Sequence, residues 1–173
     1  MVAEAGERSE YVRKMRSLPL LGCLLLSALW GAHSLRAEES QVRIARDDPW
    51  TQSDLLLPKE LLARWKPGSS SYAIYQVGFP FLYKAGHIPG SIYVGAGKDP
   101  EGIEALKKAV SGLPMDKKIV LYCGCCPLDV CPNIRPAFET VKKLGFSNAK
   151  ILYLPEDFAH DWIHKGYPTE KGG

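Results

Sequence analysis

Four of the chain's five cysteines stand together, as Cys123, Cys125, Cys126 and Cys131 in "YCGCCPLDVCPNIRP". Thiols crowded in this way open three chemistries. A thiolate can carry a transferred group covalently, and paired thiols can cycle through disulfides. Clustered thiolates also suit soft metals such as Cu(I) or Zn. A purely structural alternative stands beside these: a disulfide closing the loop, most simply Cys125–Cys131 or Cys126–Cys131, with a pairing that sequence alone does not give. The spacing lacks the two cysteine couples of a tidy zinc site, so no metal and no cofactor is assigned. Cys123 differs from the other three because it directly follows an apolar run. A loop that leaves a strand and enters a helix turns its amides inward, which favours anions and lowers a thiol's pKa. Cys123 is therefore the candidate nucleophile. Gly124, Cys125, Cys126 and Asn133 are the candidate substrate-binding positions, and Cys125, Cys126 and Cys131 the candidate redox or disulfide partners.

The elements that must position this loop can be read on either side of it. "KKIVLYC" (117–123) has the unbroken apolar pattern of a strand buried on both faces. "NIRPAFETVKKLGF" (133–146) predicts a helix that Asn133 can cap and Gly145 ends. Upstream, "LLLPKELLARW" (55–65) reads as a short strand and a helix with Pro58 in its first turn. "YAIYQV" (72–77) is a strand by its β-branched and aromatic content. The stretch from Gly78 to Gly95 begins as a loop or short helix, turns at Pro89-Gly90 and leads into a short strand, 91–94. "DPEGIEALKKAVSGLP" (99–114) is an amphipathic helix with Asp99 at its N-cap. "AKILYLP" (149–155) is a second buried strand, and "EDFAHDWIHKG" (156–166) a last helix. Strands alternating with helices predict an α/β fold, with a parallel sheet covered on both faces.

Ahead of this lies a different kind of segment. Arg13, Lys14 and Arg16 precede an apolar run from Leu18 to Trp30, and small residues follow at Ala32, Ser34 and Ala37. This is the layout of a secretory signal peptide over residues 1–37, with Met15 as an alternative start. The expected location is periplasmic or secreted. Two alternatives put the chain on a membrane: an uncleaved anchor over 17–32, or lipidation at Cys23 in "LLGC". Residues 38–54 read as a linker or extended arm, and 55–170 as the domain. Outside the cytosol disulfides persist.

The whole chain carries 22 Lys+Arg and 19 Asp+Glu, for a net charge of +3. No basic stripe with interleaved aromatics is visible, so nucleic acid is not an expected partner. Phe79 and Phe81 offer an apolar lip to a protein partner if they are exposed. His87 is expected to orient its turn by hydrogen bonding. His160 and His164, four residues apart, are expected on a solvated helix face, and Trp162 in the core.

The order of motifs resembles that of rhodanese-like domains. "YKAGHIPGSIYV" (83–94) is similar to that family's Gly-His-Ile-Pro-Gly segment, and "IVLYC", "KKLGF" and "ILYLPEDFAHDWIHKGYP" follow the order of its second half. The resemblance covers about residues 55–170. It implies an open, mostly parallel five-stranded sheet and one active cysteine on the loop after the fourth strand, which by position is Cys123. It also implies sulfur transfer, in which a thiolate takes a sulfane sulfur from a small donor and hands it to a thiol acceptor. An arginine at the start of the following helix would stabilise charge, and Arg135 is the residue for that role. Three departures mark this chain. Eleven residues separate Cys123 from Arg135, a longer loop than in relatives. Gln76-Val77-Gly78 stands where many relatives have Asp-Val-Arg, and Glu156-Asp157 where they have a Gly-Gly pair. These acids, with Asp129, disfavour a dianionic donor such as thiosulfate.

Overall fold

A computed structural model describes Val42 and residues 44–173. The leader, the alternative start at Met15 and the Cys23 lipidation reading lie outside the described residues. Among the described residues, no helix is long and apolar enough to cross a membrane.

Five strands form one sheet: β1 (Leu55–Leu56), β2 (Tyr72–Gln76), β3 (Ile92–Tyr93), β4 (Lys118–Tyr122) and β5 (Ala149–Leu152). Their spatial order is β1-β5-β4-β2-β3, and every pairing is parallel. β4 is thus central, flanked by β2 and β5. Parallel neighbours need crossovers, which are α1 (Pro58–Arg64), α2 (Pro80–Ala85), α3 (Pro100–Val110) and α4 (Ile134–Lys143). Prolines open α1, α2 and α3, where a missing N–H costs no helical bond.

The sheet is buried on both faces because adjacent side chains point to opposite sides. Ile119 and Leu121 of β4 join Tyr75, Ile151, Leu106, Phe138 and Val141 in one core layer. Val120 and Tyr122 join Ile74, Leu152, Leu61, Trp65, Phe158 and Trp162 in the other. This is why the strands read as unbroken apolar runs rather than alternating ones. The expected α/β architecture with helices on both faces is the observed one.

Two elements differ from their sequence-based expectation. The last helix does not span 156–166. It shrinks to a π-helical turn, Ala159–Ile163. The Asp161 carboxylate accepts the amides of Glu156 and Asp157 at 2.8 and 3.1 Å, and Asp157 accepts the amide of His160 at 2.8 Å. The His160 amide, which a helix from 156 would give to the Glu156 carbonyl, thus goes to a side chain instead, a local competition open to Asp. Gly166, at φ +72°, then turns the chain. Asn133 precedes α4 but caps nothing; its side chain is engaged elsewhere, as described below.

The described part of the arm packs on the domain. Trp50 is buried in the first core layer, edge-on to Phe138 at 6.1 Å between ring centroids. Asp48, fully enclosed, pairs with Arg135 of α4.

Candidate active site

The site is built where β4 ends. Cys123 follows Tyr122 directly and is 5% exposed. Two glycines shape its surroundings. Gly124 takes φ +75°, a left-handed turn that sends the chain off the strand end, and a Cβ there would lie 2.5 Å from the Phe158 Cβ. Gly78, just beyond β2, backs the sulfur. A Cβ at Gly78 would stand 3.0 Å from Cys123 Sγ and 2.8 Å from the Cys123 carbonyl oxygen.

Gln76 holds this corner together. Its Nε2 donates to the Cys123 carbonyl at 3.1 Å, and its Oε1 accepts the Gly78 amide at 3.2 Å. The side chain is buried and both ends are satisfied, so it fixes the two segments that bracket the sulfur. Gln76→Leu would leave a carbonyl and an amide unpaired in the interior. We expect a stability loss of about 1–3 kcal/mol together with slower chemistry at Cys123. Chemical denaturation and a single-turnover rate measure the two effects, and an unchanged rate would show that the clamp does not govern the sulfur's position.

All four loop cysteines are free thiols. Cys123 Sγ lies 3.2 Å from Cys125 Sγ, which in turn lies 2.9 Å from Cys126 Sγ and 4.0 Å from Cys131 Sγ. The fully buried Asn133 aims its amide nitrogen at this group, 3.3 Å from Cys123 Sγ and 3.9 Å from Cys125 Sγ. Its Oδ1 accepts the Lys98 amide at 3.2 Å. The side chain expected to cap α4 is therefore a donor to sulfur.

Protonation is distributed unequally among the thiols. The Cys123 thiol is pushed up, first by donating to Cys125 and Cys131 and then by burial. Cys125 is drawn down to about 5 by accepting that donation, against its own burial. Cys131 is also lowered, by Cys123 and by the backbone amides of Asn133 and Ile134 at the start of α4. Burial raises Cys126. The lowered pKa expected for Cys123 thus falls on its neighbours instead. The helix-start amides serve Cys131, and at Cys123 the neighbouring sulfurs and burial raise the thiol.

Cys123 and Cys125 open onto a cavity of about 180 Å³, whose walls include Gln76, Leu82, Asp157 and Phe158. Gly124 lines the same space, and a smaller crevice is lined by Cys123 and Gly124 together with Cys126 and Cys131. The structure therefore brings all four thiols and Asn133 into one cluster, with Cys123, Gly124 and Cys125 facing the larger cavity. Asp157 puts a carboxylate on the cavity wall, paired with His160 at 2.9 Å.

Arg135 is placed differently. Its guanidinium pairs with Asp48, donates to the Asp129 carbonyl at 3.0 Å and lies over the Trp50 ring at 5.2 Å. It anchors the arm to α4. Its bonds among the described residues include none to the thiols, so this structure gives no geometry for the expected charge-stabilising role.

The remaining singled-out residues have plain placements. His87 Nδ1 lies 2.8 Å from the Tyr83 carbonyl and its ring stacks on Tyr83, so it orients the turn. His160 and His164 are exposed with ring centroids 5.2 Å apart. Trp162 is enclosed and donates to the Pro168 carbonyl at 2.8 Å. Phe79 and Phe81 stack at 5.9 Å, with Phe81 65% exposed. Neither is part of the cavity wall.

Gln76 and Gly78 were not among the candidate residues. Their signal was the replacement of Asp-Val-Arg by Gln76-Val77-Gly78. An uncharged amide and a residue without a side chain at that strand end fit a neighbour that needs a clamp and room.

A parallel α/β domain that presents a cysteine on the loop after its central strand is the class that fold and site define. Residues 57–153, more than half of the chain, match the family model described as Rhodanese-like domain, and the chain belongs to that family. No curated protein matches it. Among solved structures, the rhodanese-like domain of an Anabaena sp. protein is 23% identical, covering 61% of this chain and 69% of that one, with a TM-score of 0.44. A single-domain sulfurtransferase of Saccharomyces cerevisiae is 17% identical, covering 69% and 100%, with a TM-score of 0.47. A rhodanese-related protein from Thermoplasma volcanium is 20% identical, covering 68% and 97%, with a TM-score of 0.42.

Proposed function

We propose that the chain is a sulfurtransferase that moves sulfane sulfur through a persulfide on Cys123. One observation carries the reading. The sulfur at the family's cysteine position faces a cavity and has, 3.2 Å away, a second sulfur able to take its proton. In the first step Cys123 Sγ attacks the outer sulfur of a donor R–S–S⁻. The Cys123 proton passes to the Cys125 thiolate, the new Sγ–S bond forms and the donor S–S bond breaks. R–S⁻ leaves and takes up the proton from Cys125. In the second step an acceptor thiolate attacks the outer sulfur of the persulfide, and Cys123 Sγ departs with its bonding pair and regains a proton. The balance is the covalent two-step form of catalysis. The carboxylate of Asp157 on the wall favours low-charge donors such as thiol persulfides over dianions. The basic, apolar and small-residue order of residues 1–37 supports a periplasmic or secreted location for this chemistry.

Reduced protein incubated with a thiol persulfide should gain the mass of one sulfur atom at Cys123, removable by an added thiol. If no donor adds sulfur there, the reading fails.

The same 3.2 Å contact supports a second reading, a thiol redox protein. Cys125, as the charge-bearing thiol, would attack Cys123 Sγ of the persulfide. A Cys123–Cys125 disulfide forms, the outer sulfur leaves as hydrosulfide, and an external dithiol must reduce the disulfide. Hydrosulfide release with loss of two hydrogens from the protein distinguishes this route from transfer to an acceptor.

A further inference from the structure

The loop does more than present one nucleophile. Sγ atoms of Cys123, Cys125 and Cys131 all lie within 4.8 Å of one another. Two of the edges are 3.2 and 4.0 Å. A triangle with those edges, and a third no longer than 4.8 Å, has a centre within about 2.4 Å of every corner. Metal–thiolate bonds are about 2.3 Å long. Trigonal coordination at that length sets the sulfurs about 4.0 Å apart. The cradle is thus the size of one metal ion with three sulfur ligands.

We propose that Cys123, Cys125 and Cys131 form a three-coordinate site for a monovalent soft cation, Cu(I). The donor set is sulfur alone, which selects soft ions. Its number argues for copper over zinc. Structural zinc takes four ligands, and the fourth cysteine, Cys126, falls outside the three-sulfur group although it neighbours Cys125. The site is sheltered, since Cys123 and Cys131 are buried and Cys125 half-buried. It also has an outer shell: the Asn133 amide nitrogen reaches two of the three sulfurs, and its position is fixed by the Lys98 amide on its oxygen. N–H donors to thiolate sulfur spread the negative charge that accumulates when three thiolates meet one monovalent ion. Binding releases the thiol protons. Because the ion would use the Cys123 sulfur, a loaded chain cannot carry a persulfide at the same time.

The test uses full-length, reduced, metal-free protein under anaerobic conditions, titrated with Cu(I) held by a chromophoric chelator. One copper per chain is expected. X-ray absorption should show only sulfur neighbours, three of them at about 2.3 Å. Cys125→Ser and Cys131→Ser should each weaken binding at least about tenfold, and Cys126→Ser much less. Circular dichroism on each variant separates a lost ligand from a lost fold, and Cys125, being half-buried, is the safer of the two substitutions. The proposal is overturned if the chelator keeps the copper, or if Cys125→Ser and Cys131→Ser both bind it as well as the parent protein. A parallel titration with Zn(II) that yields a tighter, four-sulfur site dependent on Cys126 would also overturn it. These readouts are independent of sulfur transfer, which is measured on the metal-free chain.

Discussion

Cys123→Ser should lower the rate of sulfur transfer from a thiol persulfide by about a thousandfold or more, since a hydroxyl cannot hold the sulfane sulfur. The substitution is small and the site is at a strand end, so the folded state should survive. The informative comparison is with Cys125→Ser. If Cys125 serves as the proton acceptor, its loss should cost about 10²-fold, in the range for general acid–base assistance. The mass gain on Cys123 would then still be seen at long times. Stopped-flow measurement of donor consumption gives both numbers. The opposite ranking, with Cys125→Ser inactive and Cys123→Ser retaining transfer, would move the nucleophile to Cys125, the thiol that the Cys123 hydrogen bond draws down. The family position and the protonation pattern point to different sulfurs, and this pair of variants decides between them.

Gly124→Ala should be the most destabilising single-methyl change in the loop. The residue sits at φ +75°, where an L side chain costs about 1–2 kcal/mol. The added Cβ would also lie 2.5 Å from the Phe158 Cβ, and overpacking of that kind costs about 1–3 kcal/mol. The expected loss is therefore about 2–5 kcal/mol. It would be read as a lowered denaturation midpoint with an unchanged slope. Combining the change with Phe158→Gly, which removes that Cβ, separates the two causes. The steric part should be non-additive with the Phe158 cavity, whereas the backbone part should persist. A loss below about 0.5 kcal/mol would mean that Gly124 is not held in the described turn.

The framework of the domain was legible because it rests on local pattern. Apolar runs at 119–123 and 151–154 marked the interior parallel strands, and prolines and glycines marked most helix ends. The place of Cys123 was legible for the same reason, as the residue that ends a buried run. What escaped depended on partners distant in sequence. Arg135 could not be assigned from its own surroundings, since its acidic partner stands 87 positions upstream. Gln76 acts on a carbonyl 47 positions away. The protonation order of the thiols depends on separations of a few ångströms inside a loop with no regular repeat. The short final helix escaped because Asp157 and Asp161 fold their side chains onto nearby amides.

The arm bears on how far the chain can be trimmed. A truncated version drawn around the family match alone, starting near residue 57, would strip Trp50 from Phe138 and leave Arg135 without its enclosed counter-charge. That damage would fall on α4, the helix whose first residues shelter the sulfur cluster. An inactive minimal fragment would then report a poorly chosen boundary and say nothing against the chemistry, so assays belong on chains that keep everything from Val42 onward.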